Sequence, residues 1–266
     1  MFKWLRSKWR KARRLLTHRT KPIEVTVGSS AVEDEINRRN EGKHRLYKRV
    51  ALIQAHTDSK SGCSSYPVKM PLDFFDSPQK IEKRREYDIS GYVLGWAKKF
   101  IDLVSMSMAV KLFKRDGVGI KGVGRQLEKW KPDVVISGHK NSVGHDSDVE
   151  GLEILMQEKY KGTFAEEEAL RMIRLLNFHI GDSPLRGYKG IRWTTRKKRG
   201  DYNLDVYDDC GCKVVMLLEE AFIAKATPTA RQIMEGEGLK NNAQAIANFC
   251  LGFDIINNEL VSVIDG

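Results

Sequence analysis

Asp133-Val134-Val135-Ile136-Ser137-Gly138-His139-Lys140-Asn141 is the stretch from which the fold is read. Val134 to Ser137 follow the stop signal Lys131-Pro132, and as a β-branched apolar run they predict a short buried strand. A glycine, a histidine and, two places on, an asparagine come directly behind it. In an open α/β sheet, ligands sit outside the carboxyl ends of the strands, so a histidine delivered there faces a cleft.

The same pattern recurs on both sides. Val50-Ala51-Leu52-Ile53-Gln54 is a second apolar run, ending in Ala55-His56-Thr57-Asp58. A turn-rich segment from Ser59 past Pro67, Pro71 and Pro78 follows, and so long an irregular connection is usually a functional or a disordered loop. Glu86 then opens a helix expected to reach about Val104, with Ile89, Val93, Trp96 and Phe100 on one face. Ala109 to Phe113 predicts a strand and Ile120 to Trp130 a helix. Beyond the opening stretch, Gly151 to Met156 predicts a strand, and Ala165 to His179 a helix whose acidic first turn suits its dipole. Val214 to Leu218 is a buried strand running into Glu219-Glu220, and Thr227 to Glu235 and Asn242 to Phe253 read as helices. Strands alternating with helices imply an α/β domain of three layers, a mostly parallel central sheet with helices on both faces.

Composition narrows the class. At 266 residues, with 41% hydrophobic and 30% charged side chains, the chain can bury a substantial core as an ordinary globular protein. No run approaches the length needed to cross a bilayer. Cys63, Cys210, Cys212 and Cys250 lack the spacing of a zinc ribbon or disulfide framework and read as free thiols. The formal net charge of +11 points to an anionic partner. Much of it is local, because Met1 to Lys21 is rich in Lys and Arg and no acid precedes Glu24. Residues 1–45 therefore read as a basic amphipathic leader and linker, and residues 46–266 as the folded domain. The leader pairs Trp4 and Trp9 with cations, which suits an anionic membrane surface or envelope lipid, and equally a helix docked on the domain or a frayed tail. Nucleic acid is not expected, since no recognition motif accompanies the charge.

Three strand ends carry polar residues that a core would not want, namely His56, His139 and Glu219, and Glu86 starts the helix after the His56 loop. Two histidines and a carboxylate with an open fourth position make the ligand set of a catalytic zinc. A second carboxylate nearby can move the proton such a reaction needs. Each residue also has a plainer reading. A histidine after a strand can be a hydrogen-bonded structural residue, the helix dipole accounts for Glu86, and Glu219-Glu220 can be a solvated strand end.

Taken together, these segments resemble the zinc-dependent N-acetylmuramoyl-L-alanine amidases, which trim bacterial peptidoglycan and include many phage endolysins. Ser137-Gly138-His139-Lys140-Asn141 is similar to that family's Ser-x-His-x-Asn segment, and the strand leading to His56 is similar to its first histidine segment. Glu86-Tyr87-Asp88-Ile89 resembles the carboxylate ligand opening the first long helix, and Arg186-Gly187-Tyr188-Lys189 resembles an Arg-Gly-x-Lys stretch. Leu217 to Ile223 is similar to the segment carrying the catalytic glutamate. The resemblance spans Lys48 to Phe253 in family order. It implies zinc held by His56, Glu86 and His139, Glu219 as general acid/base, and Asn141 and Arg186 against a peptidoglycan substrate.

The chain departs from the pattern at named places. Thr57-Asp58 follows the first histidine where the family has glycines, so Asp58 is a rival ligand. The long interval from His56 to Glu86 makes Glu82 another, and Ala221 in place of glycine makes Glu220 the rival to Glu219. Strand alternation puts Glu219 and Glu220 on opposite faces, so one alone can enter the site. The expected function is a peptidoglycan amidase, a phage lysis enzyme made in a bacterial cytoplasm without a signal peptide and acting on the wall once the membrane is breached. A zinc carboxypeptidase acting on stem peptides, and an inactive amidase-like structural or binding module, are the alternatives.

Overall fold

A computed structural model of the chain describes residues 47–71, 73, 81–141, 149–195 and 201–263. The basic leader, the loop holding His145 and the run Arg196 to Arg199 lie outside the described residues. In chain order the elements are β1 (Arg49–Gln54), the short strands β2 (Val68–Lys69) and β3 (Ile81–Glu82), α1 (Glu86–Val104), β4 (Ala109–Phe113) and α2 (Gly119–Trp130). Then come β5 (Val134–Asn141), β6 (Glu153–Gln157), α3 (Phe164–Ile180), β7 (Ile191–Thr194), α4 (Asp201–Asp208) and β8 (Val214–Phe222). The chain continues through α5 (Pro228–Met234), α6 (Gly238–Cys250), β9 (Phe253–Ile256) and β10 (Glu259–Ser262).

Six strands form one sheet in the order β4-β1-β5-β8-β6-β7. Every pairing is parallel except β6 with β8, which is antiparallel. The alternation of side chains explains why the strand sequences are apolar without interruption. Val134 and Ile136 point into a core shared with Ile89 and Leu94 of α1, Met172 and Leu175 of α3, Ile233 of α5 and Phe249 of α6. Val135, with Ala51, Ile53, Val215 and Leu217, points the other way, onto Val123 and Leu127 of α2 and Leu204 and Tyr207 of α4. The layered α/β architecture is therefore the one expected, with helices on both faces of a largely parallel sheet.

Two local expectations are corrected, and two elements are added. β5 does not stop at Ser137 but continues through Asn141, because β8 pairs with it to the end across a register shift between His139 and Asn141. His139 is thus the sixth residue of a strand rather than a loop residue behind one. The predicted helix over Asn242 to Phe253 ends at Cys250, and Phe253 opens the β9–β10 hairpin. β7 and α4 are elements that the sequence pattern missed, at four and eight residues too short to show a clear period. Among the described residues, no helix is long and apolar enough to cross a membrane.

Candidate metal centre

The carboxyl edges of β1, β5 and β8 lie side by side in the sheet, and each delivers one polar residue. β1 ends at Gln54, and two residues on His56 adopts a left-handed backbone, φ 60°. A non-glycine residue there is costly and persists only where the surroundings enforce it. The enforcement is visible. The Ser90 hydroxyl accepts from Ala55 N (3.0 Å) and donates to Gly138 O (2.6 Å), tying the end of β1 to β5 through the first turns of α1. Gln54 Nε2 adds a bond to Tyr87 O (2.8 Å).

Glu86 is the first residue of α1, where the dipole favours a carboxylate. The helix start is capped by the loop behind His56, with Glu86 N donating to Cys63 O (2.8 Å) and Tyr87 N to Ser61 O (3.0 Å). This is why so long a connection can still place Glu86 accurately. Its carboxylate lies between the two imidazoles. Oε2 is 3.0 Å from His56 Nε2, and Oε1 is 3.1 Å from His139 Nδ1. The backbone N–H of Lys140 donates to Oε1 (2.9 Å) and that of Cys63 to Oε2 (3.3 Å). The imidazoles meet edge to face, centroids 5.1 Å apart.

Burial alone would raise the Glu86 carboxyl, but the hydrogen bonds and positive charge of His139 and His56 more than offset it, holding the group far below the usual range. Burial lowers His139 below the usual imidazole range, against the opposing pull of Glu86.

His56, Glu86 and His139 each offer a ligand atom, and these lie within 4.8 Å of one another. The arrangement fits a metal on two further counts. Among the described residues, His139 Nε2 is buried with no hydrogen-bond partner. Gly62 passes so close that a Cβ there would lie 2.7 Å from His56 Nε2 and nearer still to Glu86, so the chain has left room around the donors. Two imidazoles and one carboxylate make a zinc-type donor set.

The rivals lie elsewhere. Asp58 pairs with Arg85 (2.7 Å) at the surface, and Glu82 pairs with Arg84, so neither joins the cluster. One strand over, Glu219 is the β8 partner of His139 in the parallel register. Asn141 Nδ2 donates to its Oε2 (2.6 Å). Burial, then the neighbouring Glu153 carboxylate and a hydrogen bond to it, push the Glu219 carboxyl up to about 8. The side chain of Glu220 is outside the described part of β8. Arg186 Nη1 lies 3.3 Å from Glu153. Glu153 itself went unnoticed in the sequence. The signal was present as a carboxylate opening the apolar run Glu153-Ile154-Leu155-Met156, every residue of which is buried.

Fold and site together define a layered α/β domain with a candidate His-Glu-His metal centre at the strand ends. No protein-family model matches the sequence, and no curated protein matches it either. Solved structures do match. Cwp6 from Clostridium difficile aligns at a TM-score of 0.56 and 18% identity, over 79% of this chain and 30% of that one. N-acetylmuramoyl-L-alanine amidase AmiC2 of Nostoc punctiforme aligns at 0.53 and 18%, covering 76% of this chain and 94% of its own. An N-acetylmuramoyl-L-alanine amidase from Clostridium difficile 630 gives 0.53 and 15%, over 77% and 95%. At such identities the likeness is one of fold, and the fold is that of N-acetylmuramoyl-L-alanine amidases.

Proposed function

We propose that the chain is a zinc-dependent N-acetylmuramoyl-L-alanine amidase, a peptidoglycan hydrolase that cleaves the amide joining the muramic acid lactyl group to L-alanine. The observation carrying this reading is the convergence of His56, Glu86 and His139, one strand from a largely buried Glu219, on an amidase fold.

His56, Glu86 and His139 would hold the metal and leave a position open. When bound, zinc supplies a nucleophilic water near neutral pH and polarises the scissile carbonyl. Glu219 does the proton work. As the carboxylate it would take a proton from the nucleophile, and as the carboxyl so formed it would hand one to the departing L-alanine amine. Asn141 holds that carboxyl in place through Oε2. The basic leader and the amidase chemistry together suit a phage lysis enzyme, made in a bacterial cytoplasm and reaching the wall after membrane breach, with residues 1–21 engaging anionic lipid.

Digestion of purified peptidoglycan by the zinc-loaded chain tests the reaction. New peptides should carry free L-alanine amino ends, a chelator should abolish their appearance and zinc should restore it. Release of carboxy-terminal residues instead would make the protein a carboxypeptidase, and a zinc-loaded protein leaving the wall intact would make it a binding module. For the leader, deletion of residues 1–21 should weaken binding to anionic vesicles and lysis from outside. Unchanged values would remove the membrane reading.

A further inference from the structure

Glu153 has no task in the reaction proposed above. It opens β6 and is 2% exposed, an expensive position for a carboxyl group unless it is paired and hydrogen-bonded. Its partner across the antiparallel β6–β8 pairing is Glu219, so the two side chains stand as neighbours on one face of the sheet. Glu153 Oε1 is 3.4 Å from Arg192 Nη1 and Oε2 is 3.3 Å from Arg186 Nη1. Two guanidiniums thus anchor the Glu153 carboxyl group. Glu219 is in turn gripped from the other side by Asn141 Nδ2 at 2.6 Å. His139, Glu219 and Glu153 form one row across three adjacent strands.

We propose that Glu153 is a positioning residue: anchored by Arg186 and Arg192, its carboxylate fixes the direction in which Glu219 presents its carboxyl to the reacting amide. The inference rests on Glu219 being the proton-transferring group. It goes further by assigning a task to a residue that touches neither metal nor substrate, and to the two arginines behind it. A purely structural Glu153 would instead tie β6 to β7 through Arg192, and its loss would appear in stability and not in turnover.

The test uses the zinc-loaded full chain and a soluble muropeptide, with kcat, KM, bound zinc and thermal midpoint measured for Glu153→Ala, Glu153→Gln and Arg192→Ala. A misplaced catalytic group costs on the order of 100-fold, so Glu153→Ala should lose about that factor in kcat with KM and zinc content unchanged. Glu153→Gln keeps the size and polarity of the side chain beside Glu219, and should recover most of the loss. Arg192→Ala, at an exposed side chain that leaves Arg186 in place, should show a smaller fall in kcat alone. If Glu153→Ala does not fold, the other two variants decide. The proposal is overturned if kcat stays within about twofold of wild type, if the change is in zinc content or KM, or if Glu153→Gln is as impaired as Glu153→Ala. A zinc-loaded wild type inert on muropeptides overturns the amidase reading and this inference with it, whereas an active wild type with an unaffected Glu153→Ala overturns the inference alone.

Discussion

Gly62 shows how tightly the backbone is drawn around the candidate ligands. Its φ of +78° lies where side chains are strained, and a Cβ would press on both His56 and Glu86. Gly62→Ala should therefore cost about 1–3 kcal/mol of stability and weaken zinc binding by about tenfold or more, read by melting and by chelator competition. Glu219 gives a sharper test. Glu219→Gln should abolish turnover with zinc retained, while Glu220→Gln should leave turnover near wild type. Its carboxyl is raised from 4.5 to about 8, so the folded state holds the proton more tightly than the unfolded chain. The corresponding stability is full below about 4.5 and is lost as pH rises toward 8. Glu219→Gln should flatten that decline in a melting series across this window. Glu86, His139 and His56 were legible in the sequence because each stands at or just beyond the end of an element with a strong pattern. Glu153 was not, since its meaning comes from lying opposite Glu219 in the one antiparallel pairing of the large sheet, and no local pattern fixes that register.

At the scale of elements, buried strands were the easiest to read. β1, β5 and β8 are covered on both faces, so their apolar runs are unbroken and stand out against any helical period. Their ends were harder. β5 runs four residues past its apolar stretch because its partner continues, and pairing of this kind is a property of two strands at once. β7 escaped notice because it is four residues long at a sheet edge, with Arg192 in its middle. The junction of β1, β5 and α1 depends on one hydroxyl. Ser90 is buried, and without it Ala55 N and Gly138 O lose their shared partner. Ser90→Ala should cost about 1–3 kcal/mol in denaturant unfolding, because two buried backbone groups lose a hydrogen-bond partner. Zinc affinity should fall alongside, since the left-handed turn at His56 begins at Ala55.

The molecule as a whole is held shut by ionic contacts away from the metal cluster. Arg171, 3% exposed on α3, pairs with Glu168, 1% exposed, at 2.5 Å. It also donates to Phe249 O (2.9 Å) at the end of α6 and to Phe253 O (2.7 Å) at the start of β9. The hydroxyl of Tyr47, at the beginning of the described domain, donates to the same Glu168 carboxylate. One turn further on, Arg174 forks onto Asp254 at 2.9 and 2.7 Å. Tyr47, at the start of the described residues, and the β9 strand near their end are thereby fastened to one helix. Removing one partner of a buried pair leaves the other charge uncompensated, so Arg171→Met should destabilise by about 3–5 kcal/mol. For a domain of this size that lowers the melting midpoint by roughly 6–20 °C. Because the pair must also overcome its own desolvation, replacing both members, as in Arg171→Met with Glu168→Leu, should restore much of the loss. Zinc bound per folded chain should stay unchanged in both variants, because His56, Glu86 and His139 are carried by the β1 end, α1 and β5. Parallel loss of zinc and stability in Arg171→Met, measured on the fraction still folded, would mean instead that the charge cluster and the metal site respond as one cooperative unit.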